Sequence, residues 1–471
     1  MTHKFIVLSA AALLVAAGPA TAQDSVPPPT PVQAGAPTTP SSEATTQPPE
    51  ESGSEQAGSA EQGPEKPAQK KPKKKADDWG FRWSDRPSLR LGSGTRVDFR
   101  VRFQGDLDHT TASLAGDDGE GSNVDVARRR IGVDGEIVNI IDYQVESELG
   151  DDRNPWRDVY ANYKQYGFAQ VQAGHFKLPF SLDENTSATN LDFVYRSRVA
   201  ALLAPGRDWG VMAHGRLLRR GWLRYELGVF REDGDNARTF NTVRVHGGQT
   251  VAGRALVQPF RETKAFASDL AFGASFTTSE IPEGVSDLRG RTELDASFYR
   301  PAVLVNGQRH RLGFEARFRP GPFSIKSEYI RLSDERRLQS VDNTDLDPFV
   351  SSGWYVSGTW ALTGESKAEG LDNPRRPLFR GGFGAVELAV RAERIRFGSG
   401  AVDPLASDAP RAEVVLGNSD RAYTFGVNWY ANRWIKIQAN LVRNTIGFPE
   451  QGPSPAQPVY WSRLIRFQFA M

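Results

Sequence analysis

Arg96-Val97-Asp98-Phe99-Arg100-Val101-Arg102-Phe103-Gln104 alternates without a break. Successive side chains of a strand point to opposite faces. Val97, Phe99, Val101 and Phe103 therefore share an apolar face, and Arg96, Asp98, Arg100, Arg102 and Gln104 share a charged one. The same period of two returns along the chain. Ile131, Val133 and Ile137 oppose Arg128, Arg130, Asp134 and Glu136; Leu312, Phe314, Ala316 and Phe318 oppose Arg309, Arg311, Glu315, Arg317 and Arg319; Ile435, Ile437, Ala439 and Leu441 oppose Lys436, Gln438 and Asn440.

About sixteen such segments are expected, near 96–108, 124–137, 143–150, 158–165, 168–176, 208–217, 222–231, 251–260, 269–278, 309–319, 323–332, 353–362, 384–396, 421–430, 433–443 and 459–469. Most connections after even segments are short, such as Tyr166-Gly167 and Ala431-Asn432, and those after odd segments are usually long and polar. Short turns alternating with long loops mark an outer-membrane barrel, with the turns in the periplasm and the loops outside. A soluble β-sandwich also alternates. Three features favour the barrel: segments of about ten residues, the length a tilted span needs; aromatic residues near segment ends (Trp209, Trp222, Trp354, Trp360, Trp429, Trp434, Trp461, Tyr143, Tyr163); and a secretory leader. The expected fold is all-β, a transmembrane antiparallel β-barrel of about 16 strands with a disordered N-terminal extension.

Residues 1–22 read as a signal peptide: Lys4, an apolar run from Phe5 to Ala17, then Ala20-Thr21-Ala22 as cleavage site. Residues 23–78 read as a disordered periplasmic linker, too poor in large apolar residues to offset the entropy of ordering. It ends in Lys70-Lys71-Pro72-Lys73-Lys74-Lys75. Residues 79–471 are the barrel domain. The whole chain of 471 residues has 58 Lys+Arg against 57 Asp+Glu, a net charge of +1, which excludes a uniformly basic nucleic-acid binder. Absence of Cys excludes disulfides and thiol chemistry. A mean hydropathy of -0.48 excludes a polytopic helical membrane protein. Within 79–471 only Lys164, Lys177, Lys264, Lys326, Lys367 and Lys436 are lysines, so the basic charge is almost all arginine.

Seven motifs, in order, bear a family likeness: Val126-Ala-Arg-Arg-Arg-Ile-Gly-Val-Asp-Gly135, Asp158-Val-Tyr-Ala-Asn-Tyr163, Ala173-Gly-His-Phe-Lys-Leu-Pro-Phe-Ser181, Pro205-Gly-Arg-Asp-Trp-Gly210, Leu362-Thr-Gly-Glu365, Gly384-Ala-Val-Glu-Leu388 and Thr424-Phe-Gly-Val-Asn-Trp-Tyr430. Over about 89–471 the chain resembles the phosphate-selective porins O and P of Gram-negative outer membranes. The resemblance implies a homotrimer of sixteen-stranded, passive, anion-preferring channels with an Arg-rich constriction. It also implies inward folding of the long loop at about Lys177–Arg207 and of the connection Thr363–Phe383. Inorganic phosphate or other small anions are the implied solutes, with outer-membrane lipid and lipopolysaccharide as surroundings. The chain departs from the family in ending on Met471 rather than an aromatic residue, with Phe467 and Phe469 close by.

Strand parity points Arg128 and Arg130 into the lumen and Arg129 away from it. Arginine keeps its charge and presents a fork of donors that matches phosphate oxygens. The same two residues also suit a structural charge network with Glu136, Glu146, Glu148 and Asp158. Arg196, Arg198 and Arg207, in or beside the long loop, are further candidates for the anion pathway, and the loop has Glu184 and Asp192 with which to tie itself to the wall. Arg309 and Arg311 belong to a basic stripe that suits either a ladder or interfacial anchoring. No cofactor is expected, and no catalytic or metal site: the six His lack ligand spacing. Asp117-Asp118-Gly-Glu120 and Asp233-Gly-Asp235 read as solvated loops. Competing functions are a barrel hydrolase, for which His175 and His214 lack a nucleophile motif, and a barrel that tethers the outer membrane to the cell wall.

Overall fold

A computed structural model describes residues 79–471 apart from 113–120, 152–153, 219–220, 236–238, 241–247, 264–265, 372, 399–409 and 453–456. The expected signal peptide, linker and Asp117–Glu120 cluster lie outside the described residues. Sixteen antiparallel strands close a barrel. They are β1 (Arg96–Thr110), β2 (Gly121–Ile137), β3 (Ile141–Glu148), β4 (Trp156–Tyr166), β5 (Ala169–Lys177), β6 (Arg207–Leu217), β7 (Leu223–Phe230) and β8 (Thr250–Val257). The circuit continues through β9 (Ala271–Ser286), β10 (Leu304–Phe318), β11 (Phe323–Arg336), β12 (Leu346–Ala361), β13 (Ala385–Phe397), β14 (Asn418–Tyr430), β15 (Ile435–Ile446) and β16 (Val459–Ala470). Each pairs with its neighbour in sequence, and β16 closes on β1, with Phe469 opposite Phe103 and Gln468 opposite Gln104. One strand answers to each of the sixteen sequence segments.

The outward face is the apolar one. Phe99, Phe103, Ile131, Phe314, Val390 and Phe425 are exposed, while Asp98, Gln104, Arg130, Glu315, Arg391 and Asn428 between them are buried inside. Closure leaves no unpaired edge, so the backbone can sit in hydrocarbon. Trp209, Trp222, Trp360 and Trp461 are exposed near strand ends, as an interfacial girdle requires, whereas Trp354, expected at a segment end, lies in the middle of β12 because that strand begins at Leu346. A bulge gives β2 one extra residue between Asp125, opposite Asp106, and Arg128, opposite Gln104. Arg129 is exposed, whereas Arg128 and Arg130 turn inward.

A short hairpin not read from the sequence precedes β1. Its strands, Trp79–Trp83 and Pro87–Leu91, pair with each other, and the second pairs with the start of β1 through Leu89 opposite Val97. The hairpin thus extends the wall beyond the end of β16, which covers β1 only from Arg102 onward.

Candidate functional site

The loop between β5 and β6 fills one side of the barrel. Two short helices organise it, α1 (Leu182–Asn185) and α2 (Arg198–Leu203), capped by Ser181 and Ser197, whose side chains accept from the amides of Glu184 and Ala200. Such caps satisfy amides that a helix start leaves unpaired. Val199 and Leu203 of α2 join Phe180, Ile330, Leu332, Phe349, Ile395 and Phe397 in an apolar core inside the barrel. This explains the inward Ile330 and Leu332 of β11: they face the loop, not water.

Polar contacts fix the rest of the loop to β9–β16 and β1. The Glu328 carboxylate accepts from the amides of Leu182 and Asp183, at 3.1 and 3.2 Å. Asn440 accepts from the Val194 amide at 2.8 Å, and Asn428 donates to the Asp192 carbonyl at 2.8 Å. Arg466, paired with Asp106, donates to the Val194 carbonyl. Asp192 lies between Lys326, 2.8 Å away, and Lys367. Lys367 comes from the connection 362–384, which turns inward beneath the loop, and pairs also with Glu387. Burial works against the charge of Asp192, yet the two ammonium groups hold its carboxyl well below the usual range. Burial opposes the charge of Lys367 as well, and Asp192 and Glu387 raise its pKa regardless. Glu184 binds Arg196 and Lys177 at 3.1 and 3.3 Å.

What remains open is a passage along β1–β7. A cavity of about 580 Å³ lies between the loop and this wall, bordered by Arg100, Arg102, Arg128, Arg130, Arg196, Arg207, Arg224 and Lys177 against Asp158, Glu184, Glu226, Asp235 and Glu369. A second, of about 520 Å³, opens toward the turn 431–434 and the chain end at Met471. Both border on Arg100, Arg102 and Arg130.

These arginines are only partly neutralised. Glu146 is shared by Arg130 at 3.1 Å, Arg102 at 3.6 Å and Arg100 at 3.8 Å. Glu148 takes Arg130 at 2.7 Å. Among the described residues Arg128 has no carboxylate partner; it donates to the Gln104 side chain at 2.6 Å. Arg466, Arg130, Arg196 and Arg102 are near enough to repel it.

Of the seven arginines singled out in the sequence, Arg128, Arg130, Arg196 and Arg207 border the 580 Å³ cavity. Arg207 grips Asp158 with bonds of 3.2 and 2.9 Å. Arg198, Arg309 and Arg311 do not border it and are buried in ion pairs. Arg198 meets Glu293 at 3.1 Å, and Asp420. Arg309 binds Asp334 and, at 2.7 Å, Asp233. Arg311 binds Asp233 too, and donates to the Leu203 carbonyl at 2.7 Å. Asp233 is thus a latch that ties the loop after β7 to β10, not a solvated residue. Its carboxyl is opposed by burial but held below the usual range by Arg311 and Arg309. Gly234 makes the latch possible: it has φ +79°, and a Cβ there would lie 1.9 Å from the Pro205 carbonyl oxygen. Sequence reasoning passed over Arg100, Arg102, Lys177 and Arg224. The signal for Arg100 and Arg102 was present, since both sit on the inward face of the alternating stretch.

No group of three His, Asp or Glu side chains among the described residues is arranged to hold a metal. His175 meets the Arg157 carbonyl at 2.6 Å and His214 the Asn162 amide oxygen at 2.8 Å, so these partners give neither ring a nucleophile to activate.

The family model for phosphate-selective porin O and P matches residues 97–447. Porin O of Pseudomonas aeruginosa is 25% identical over 329 residues, covering 64% of this chain and 71% of that protein. An uncharacterized protein of Caulobacter vibrioides is 27% identical over 292 residues, 58% of this chain and 56% of its own length. Among solved structures, the outer-membrane expressed OmpT of Vibrio cholerae superposes with a TM-score of 0.50 at 12% identity, covering 81% of this chain and 99% of that one, a likeness of fold. A closed barrel with an apolar outside, an inward loop and a charged passage agrees with the match over 97–447. The chain belongs to the phosphate-selective porin O and P family and forms a passive channel of the Gram-negative outer membrane.

Proposed function

We propose that the channel prefers anions, phosphate among them, and that the arginines of β1 and β2 set this preference. The observation behind this reading is Arg128. A guanidinium with no carboxylate partner, crowded by other guanidinium groups, gains most from a passing anion. Arg102 and Arg130, which share Glu146, and Arg196 across the passage would hand the anion on. Fixed charge in a narrow, partly dehydrated site also outweighs charge at the mouth, where salt screens over about 8 Å at 0.15 M. Arg207, Arg309, Arg311 and Arg198 have a different role in this reading. Their carboxylate partners keep the two loops in place, so they shape the passage rather than bind the solute. The working unit is a homotrimer embedded in outer-membrane lipid and lipopolysaccharide, as the family implies.

The test is a reversal-potential measurement in asymmetric salt, followed by block with phosphate. Arg128→Ala with Arg130→Ala should move the reversal potential toward cation preference and weaken the block. An unchanged selectivity in that double variant would remove these arginines from the pathway.

A further inference from the structure

Arg394, Arg396, Arg421 and Arg443 point outward, away from the lumen, at one end of β13–β15. Residues opposed across an antiparallel ladder share a face, with Cβ atoms about 5 Å apart. Arg394 of β13 is opposite Arg421 of β14, and Arg396 follows Arg394 on the same face. Arg443 of β15 is opposite Tyr423 on one side and Trp461 on the other. Further down the same face come Val390, Phe425 and Leu441, all exposed. The arginines therefore stand at the edge of the lipid-facing wall.

That edge is the outer one. The arginines lie beside the long connections 398–417 and 447–458, whereas the short turn 431–434 closes the far end. From Arg421 to Trp429, beside that turn, the strand climbs about 27 Å, or about 20 Å along the barrel axis at the usual tilt. The apolar band of such a barrel is about 25 Å tall. The arginines thus reach headgroup level in the outer leaflet, with Trp354, opposite Arg394, as an aromatic neighbour.

Their charges are uncompensated within the described chain. Like charges directly opposite one another destabilise a ladder, and Arg396 and Arg421 are near enough to repel Arg394. None of the four has a carboxylate partner among the described residues; Arg443 donates to the Thr445 hydroxyl at 3.4 Å. Beside them a cavity of about 310 Å³ opens between Arg394, Arg396, Ser419 and the loop ends at Gly398 and Gly447, where glycines leave room. Guanidinium forks match phosphate oxygens. A lipid that carries phosphate just above its acyl chains meets both the arginines and the apolar residues below them. Lipopolysaccharide, with its phosphorylated glucosamine backbone, has that build and occupies the outer leaflet.

We propose that Arg394, Arg396 and Arg421, with Arg443 beside them, bind the phosphorylated headgroup of lipopolysaccharide, whose acyl chains lie along Val390, Phe425 and Leu441. The proposal deepens the reading of lipopolysaccharide as surroundings and is independent of the solute in the lumen. The bound lipid neutralises the like-charged pair and braces the wall beneath the two long connections.

The full-length channel, purified in detergent, is titrated with rough lipopolysaccharide, with the same lipid after dephosphorylation, and with inorganic phosphate. Native mass spectrometry counts the lipid retained per chain. Retention of the phosphorylated lipid alone is expected. Arg394→Gln with Arg421→Gln should weaken it about tenfold or more, since a charge-assisted hydrogen bond is worth at least that factor. Arg129→Gln, outward on β2, should retain the lipid. Equal retention by the double variant, or of the dephosphorylated lipid, would overturn the proposal. So would displacement by inorganic phosphate at equal concentration, which would make the patch a free-phosphate site. Loss of the oligomer in the double variant would assign the patch to a second copy of the chain and overturn it too. Arg421→Gln alone serves if the pair of substitutions disturbs assembly. In vesicles of neutral phospholipid the double variant should withstand more denaturant than the unaltered chain, because a repelling pair is gone, and added lipopolysaccharide should reverse that order. An order that does not reverse would also sink the proposal. Reversal potential and phosphate block should be unchanged in the double variant, so failure here is distinguishable from failure of the lumen reading.

Discussion

Arg128 donates to the Gln104 side chain at 2.6 Å across the β1–β2 ladder. Gln104 in turn donates to Gln468 on β16, the strand that closes the barrel. An uncharged amide thus holds this cation in place without neutralising it. Replacing that amide with a carboxylate of the same size should cancel the charge and keep the bond from Arg128, with the Gln468 amide turning over to donate where Gln104 donated. Gln104→Glu is expected to shift the reversal potential toward cation and to weaken phosphate block, much as Arg128→Ala does. Single-channel recording in asymmetric salt measures both. Full wild-type selectivity in Gln104→Glu would show that Arg128 does not meet the solute.

Arg129 supplies the control for that experiment. It is exposed on the outer side of β2, between two inward arginines. Arg129→Ala removes the same charge and should leave selectivity unchanged. A shift in this variant alone would mean that the side-chain register of β2 is off by one residue.

Weakening the latch, with Arg311 still on Asp233, should loosen the loop after β7. Arg309→Met leaves Asp334 buried without its bidentate partner, and breaking one side of a buried pair costs about 3–5 kcal/mol. The expected outcome is faster proteolysis within residues 231–249 and noisier current, with the barrel still folded. Limited proteolysis of reconstituted protein reads the first effect.

The bolt at Asp192 predicts a pH window for the inward loop. The pKa of Asp192 is depressed in the folded chain. Its contribution is therefore fully present above the unfolded value, about 4, and is lost as pH falls through the lower folded value. The pKa of Lys367 is raised. Its contribution is complete below the unfolded value, about 10.4, and is lost as pH rises through the higher folded one. Channel current should be quiet between those limits and fluctuate at the acid extreme. Asp192→Asn should fluctuate at neutral pH as well, and a quiet Asp192→Asn channel would show that other contacts suffice to hold the loop.

The outward face can be tested by charge. Phe314 is exposed on the outer face of β10. Phe314→Arg puts a guanidinium in hydrocarbon at a cost of about 2–4 kcal/mol near the midplane. Refolding into vesicles across a denaturant series should show that loss, whereas Glu315→Gln on the inner face should perturb the Arg254 pairing instead.

The strands were legible because the lipid face imposes a strict period of two, as at Phe99 and Phe103 or Phe314 and Ala316. The inward loop and connection came from family likeness, and Glu184 and Asp192 were read as potential ties. Their actual partners were not legible, since Lys326 is 134 residues from Asp192 and no local rule joins them. The clasp on Asp233 was hidden for the same reason: Asp-Gly-Asp looks like any polar turn until Arg309 and Arg311 close on it. The strand Trp79–Trp83 was missed because five residues are too few to show a period.

The loop between β5 and β6 leans on β9–β16, so the 580 Å³ cavity is bordered almost entirely by residues of the first half of the sequence. The arginines proposed to meet the solute, on β1 and β2, are therefore set apart along the chain from the ion pairs of β10–β13 that hold the architecture. A segment exchanged over roughly 96–177 between relatives would bring a new wall of β1–β5 while the loop that carries Asp192 and Arg198 keeps its partners. Cargo preference could drift by substitutions in that stretch without disturbing the ion pairs of Lys326, Lys367 or Arg309.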